Sequence, residues 1–131
     1  MPVGDKAVVL IVDDQLGVLS TLAMVLEQSG YKTLKSLTGQ EAIDLASGVA
    51  IDLALIDVNM PGINGIAVGR EIRKKLPDCK ILLITGSRDG SDGLIAARAE
   101  GLEFDVVAKP VPPEELLELI SATLDTGGNP S

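Results

Sequence analysis

The chain predicts an α/β protein: a doubly wound, five-stranded parallel sheet in the order 2-1-3-4-5 with helices on both faces. Three observations lead there. Five short apolar, β-branched runs recur along the 131 residues, segments of helical periodicity separate them, and four of the five lack the polar/apolar alternation of a sheet with one wet face.

The first strand is "AVVLIV" from Ala7. The helix after it repeats Leu19, Leu22, Ala23 and Leu26 at three-to-four spacing and stops at Gly30, its C-terminal cap. Strand two, "KTLKSL" from Lys32, carries Lys32 and Lys35 and reads as an edge. The second helix opens on "TGQE", where Thr38 and Glu41 have capping-box spacing. Strand three is "LALI" from Leu53. The third helix turns Ile66, Ile72 and Leu76 inward and Arg70, Arg73 and Lys74 outward, ending before Pro77.

Strand four is "ILLIT" from Ile81. A short fourth helix, "LIAARAEG", follows the glycine-rich "GSRDGSDG", and strand five is "DVVA" from Asp105. The fifth helix opens on "PPEE", with proline and acids suited to a helix start, and buries Leu116, Ile120 and Leu124. Right-handed crossovers between parallel strands then give the flavodoxin-like order. One domain is expected over residues 1–125, with a disordered tail over 126–131.

Composition removes several classes of function. A net charge of -8 argues against a nucleic-acid footprint through this domain and against a polybasic membrane-surface protein. No apolar run approaches a membrane span, and "MPVGDKA" lacks the apolar core of a secretory signal, so the chain reads as cytoplasmic. Cys79 is the lone cysteine and forms no intrachain disulfide. The chain has no histidine, which excludes a Ser/His/Asp triad, a His-ligated zinc site and a phosphohistidine of its own.

In such a sheet ligands bind beyond the carboxyl ends of the strands, where the chain order reverses between strands one and three. Strand one ends in Asp13 and Asp14, strand three in Asp57, strand four in Thr85 and strand five in Lys109. Each has an ordinary explanation taken singly: Asp14 as a helix cap, Thr85 as a satisfied hydroxyl, Lys109 as a solvated cation, Asp57 as a turn former before "NMPG". Jointly they fall on one edge, while Asp52 and Asp105 fall on the other. Oxygen-only ligands point to a hard ion, Mg²⁺. A carboxylate beside Mg²⁺, a lysine and a hydroxyl suits a nucleophile that accepts a phosphoryl group, with Asp57 attacking and Gly86 leaving room.

With "VDD" ending strand one, "LIDVNMPGING" around Asp57, "TG" ending strand four and "KP" ending strand five, the chain resembles the response-regulator receiver domains of two-component signalling, from Ala7 to Leu124. The resemblance implies a phosphorylation-activated switch rather than an enzyme acting on external substrates. Asp57 would receive its phosphoryl group from a phosphohistidine on a sensor histidine kinase or histidine phosphotransfer protein. Asp14 and the Asn59 main-chain carbonyl would join Asp57 on Mg²⁺, with Asp13 helping mainly through water. Thr85 would hydrogen-bond the phosphoryl group, Lys109 would pair with it, and Lys109–Pro110 would be cis. A surface of the fourth helix, fifth strand and fifth helix would meet a downstream target.

One departure matters. Receivers often carry an aromatic residue three positions before the lysine, and here Val106 stands there, with Phe104 two residues earlier. The glycine-rich segment from Gly86 to Gly93 is then a candidate for the moving part. Among alternatives, a haloacid-dehalogenase-type aspartyl-phosphate phosphatase places its nucleophile in "DxD" after strand one, whereas this chain reads "VDDQ". A flavin binder lacks aromatics to stack on, and a docking module with unused acids does not explain the intact set.

Overall fold

The computed structural model describes residues 7–58, 65–85, 105–108 and 112–128. Five strands form one parallel sheet: β1 (Val8–Val12), β2 (Lys32–Ser36), β3 (Leu53–Asp57), β4 (Lys80–Thr85) and β5 (Asp105–Ala108), in the order β2-β1-β3-β4-β5. Four helices are described: α1 (Leu16–Gln28), α2 (Gly39–Ala46), α3 (Gly65–Lys75) and α4 (Pro113–Gly128), the last being the fifth helix of the sequence pattern. The expected order and the edge position of β2, with Lys32 and Lys35 exposed, both hold. The glycine-rich segment and "LIAARAEG" lie outside the described residues.

Strand alternation sorts the core into two layers. Leu10, Val12, Ala54, Ile56, Ile81 and Leu83 face α2 and α3, meeting Ala42, Ala46, Ile66, Val68 and Ile72. Val9, Ile11, Leu53, Leu55, Leu82 and Ile84 face the other way, under Leu19, Ala23 and Leu26 of α1 and Leu116 and Ile120 of α4. The central strands are apolar on both sides because helices cover both.

Helix ends follow the local chemistry. Gly30 has φ 97°; its N–H donates to the Glu27 carbonyl and that of Tyr31 to the Leu26 carbonyl, each at 3.1 Å, a Schellman close to α1. At α2 the Thr38 hydroxyl accepts the Glu41 N–H at 3.1 Å, and the Glu41 carboxylate accepts the Leu37 N–H, also at 3.1 Å. The first bond is that of a standard capping box, and the return bond lands one residue before the N-cap, on Leu37 and not on Thr38. Thr38→Ala is expected to lower the unfolding free energy by about 1 kcal/mol, read from the urea midpoint at unchanged slope.

Two expectations need correction. Arg73 does not simply point outward: it is half-buried, and its Nε donates to the Cys79 carbonyl at 3.0 Å, so the side chain folds over the loop into β4. The C-terminal helix does not give way to a tail after residue 125 but runs to Gly128.

Candidate acidic site at the carboxyl edge of the sheet

Strand register decides which side chains meet. Val12 lies opposite Ile56, Asp57 opposite Ile84 and Thr85 opposite Ala108, so these strands run out at one edge. The Asp13 N–H still donates to the Ser36 carbonyl at 3.1 Å, and the Val58 N–H to the Ile84 carbonyl at 2.8 Å, carrying the sheet's hydrogen bonding just past the acids. By alternation Asp13 continues the row of Val9 and Ile11, and Asp57 that of Leu53 and Leu55. Both acids therefore inherit buried positions, with 3% and 5% exposure.

One carboxylate oxygen from each of Asp13, Asp14 and Asp57 lies within 4.8 Å of the others, the one such acidic group among the described residues. Asp14 is the exposed member. It does not cap α1: the N-cap is Gln15, without a side-chain cap bond. Asp13 serves the turn instead, its Oδ1 accepting the Gln15 N–H at 2.9 Å, which fixes that carboxylate at the mouth of the site.

Charges about 5 Å apart repel by roughly 3 kcal/mol per pair at an effective dielectric near 20, less for the pairs that include solvent-screened Asp14. An all-oxygen, anionic donor set with two buried members fits a hard divalent ion. Asp52 stays out of it, its Oδ2 accepting the Val8 N–H at 2.7 Å at the opposite edge. Asp105 likewise begins β5 opposite Leu82, away from the acids. Cys79, also at the far edge, is buried, and that burial pushes its thiol up to about 11 against the opposing pull of Arg73. It stays a neutral thiol at physiological pH.

Of the other expected site residues, Asn59, Gly86, Lys109, Pro110 and Phe104 lie outside the described residues. Thr85 and Val106 are described in their backbone: Thr85 closes β4, and its partner Ala108 immediately precedes Lys109 in the chain. One residue had no role in the sequence pattern. Gly65 opens α3 and is buried; a Cβ there would meet the Asp57 carbonyl oxygen and, at 2.7 Å, the Val58 Cα. Its only sequence signal is its place in "PGING", which reads as turn chemistry and not as a need for space.

Comparison with known proteins agrees with this geometry. The response regulator receiver domain family matches residues 9–121. The chain is 32% identical over 126 residues to the aerobic respiration control protein ArcA of Escherichia coli K12, covering 91% of this chain and 50% of ArcA. It is 33% identical over 117 residues to protein PilH of Pseudomonas aeruginosa, covering 88% of this chain and 96% of PilH. A CheY-like receiver domain structure from Methanospirillum hungatei superposes with a TM-score of 0.86 at 28% identity, covering 94% of this chain and 97% of that one. The chain spans about half the length of several curated relatives it matches, ArcA among them. The phosphatase alternative gains nothing from these matches. The chain belongs to the response-regulator receiver domain family, the phosphorylation-activated switches of two-component signalling.

Proposed function

We propose that Asp57 is the phosphoacceptor of this switch and that Asp13, Asp14, Asp57 and the Asn59 main-chain carbonyl hold Mg²⁺ beside it. The observation that carries this is the convergence of three carboxylates within 4.8 Å at the carboxyl edge of the sheet, where the strand order reverses. Bound there, the ion supplies positive charge against the phosphoryl oxygens. An Asp57 carboxylate oxygen forms the new O–P bond, while the P–N bond of a partner's phosphohistidine breaks with its electron pair going to the imidazole. The Thr85 hydroxyl donates to the phosphoryl group, and Lys109 pairs with it. The chain turns over no external substrate; it catalyses its own acylphosphate formation and hydrolysis. The acylphosphate biases a two-state equilibrium of the surface that meets the downstream target.

The phosphodonor is a histidine-bearing kinase or phosphotransfer protein, and it docks over α1. From Leu16 to Met24 this helix carries no charged residue, and Leu16 and Met24 are 63% and 56% exposed. An open groove of about 550 Å³, lined by Gln15, Gly17, Val18, Thr21, Leu22 and Pro113, starts beside the acids. Leu16→Ala is expected to slow transfer from a phosphohistidine protein by about tenfold and leave labelling by acetyl phosphate unchanged, in parallel phosphotransfer time courses.

Incubation with acetyl phosphate and Mg²⁺, followed by intact mass, tests the whole reading. One acid-stable, base-labile phosphoryl adduct per chain is expected. Turnover of a small phosphate ester without such an adduct would favour the phosphatase chemistry instead.

A further inference from the structure

We infer that Gly65 is a positioning residue for phosphorylation, setting the Asp57 carboxylate through its peptide group. This rests on Asp57 being the acceptor. The Gly65 Cα sits so close to the end of β3 that an added Cβ would press on backbone, the Asp57 carbonyl oxygen and the Val58 Cα at 2.7 Å, and not on a flexible side chain that could turn aside. The Gly65 N–H donates to the Val58 carbonyl at 3.3 Å, tying the start of α3 to the residue after the acceptor. Ile66, next along, is buried in the core with Ile56 and Val58 and holds that helix end down. The strand end is fixed from its other side by the Val58 N–H on the Ile84 carbonyl at 2.8 Å.

The Asp57–Val58 peptide is therefore clamped between β4 and the first residue of α3. Any side chain at position 65 must lift the helix or tilt that peptide, and the tilt passes directly to the Asp57 Cα and its carboxylate. Gly17 and Gly48 differ: a Cβ at either meets nothing within 4 Å. Glycine is needed at 65 for close approach, and its chemistry reaches the phosphoryl group only through Asp57.

The test compares Gly65→Ala with Gly48→Ala and with Ile72→Val, a core change further along α3 that lowers stability without touching the acceptor. Each is labelled with acetyl phosphate under conditions where circular dichroism gives a native spectrum, and rates are taken per folded molecule across a Mg²⁺ series. Gly65→Ala is expected to label about 10- to 100-fold more slowly at saturating Mg²⁺, as displacement of a reacting group by up to about 1 Å implies, while both controls keep the wild-type rate. Folded Gly65→Ala labelling at the wild-type rate would overturn the inference. If Gly65→Ala does not fold, Ile66→Ala and Ile72→Ala replace it: slower labelling in Ile66→Ala alone supports the clamp, and equal rates overturn it. Absence of an Asp57 adduct in the wild type would instead remove the acceptor assignment itself.

Discussion

Asp57→Asn is expected to fold, to keep the size and shape of the buried side chain, and to give no phosphoryl adduct with acetyl phosphate or with any phosphohistidine donor. The carboxamide cannot supply the anionic oxygen that forms the O–P bond. The effect should be complete on the time scale over which the wild type labels fully, because among the described residues no other acid at this edge combines burial with that position: Asp13 is committed to the Gln15 N–H and Asp14 is exposed. Intact mass with base treatment reads the result. An adduct of undiminished yield in the variant would move the acceptor elsewhere, Asp14 being the first residue to map.

The second large effect is that of metal removal. Chelation by EDTA is expected to abolish labelling, and Mg²⁺ in tenfold excess over its dissociation constant should stabilise the fold by about 1.4 kcal/mol. For a domain of this size that raises the melting temperature by about 3 to 6 °C. The sign follows from the charges. Folding brings Asp57 up to the adjacent Asp13 and Asp14, a set of three that the unfolded chain does not hold together, so an ion that joins them acts on the native state. In Asp14→Asn, which leaves the Asp13 turn and the core untouched, the Mg²⁺-induced shift should largely vanish. Melting curves with Mg²⁺ and with EDTA separate these outcomes.

The sheet was legible because buried parallel strands demand unbroken apolar runs. Once β1 and β3 were assigned, the switch-point rule alone located Asp13, Asp14 and Asp57. Gly30 was legible for the same local reason, since its left-handed backbone suits glycine. What escaped depends on contacts distant in the chain. Arg73 has the spacing of an outward residue, and only the path into β4 gives its Nε the Cys79 carbonyl. Gly65 sits in a glycine-rich turn, where sequence cannot separate flexibility from close approach. Asp14 next to a helix looks like a cap, yet the N-cap falls at Gln15 with no side-chain cap bond, and it is Asp13 that holds the turn by accepting the Gln15 N–H. The end of α4 ran past the apolar pattern because helical hydrogen bonding does not stop with it.

The account depends most on a divalent ion seating among three acids at one edge of the sheet. Titrating ¹⁵N-labelled protein with substoichiometric Mn²⁺ tests this directly, since the paramagnetic ion broadens the amide signals nearest to it. The amides of Asp13, Asp14, Asp57 and Val58 should fade first, Mg²⁺ should restore them by competition, and those of Asp52 and Cys79 at the far edge should stay sharp. Broadening centred on Asp52, or on Glu114, Glu115 and Glu118 of α4, with the signals of Asp13 and Asp57 unaffected, would contradict it.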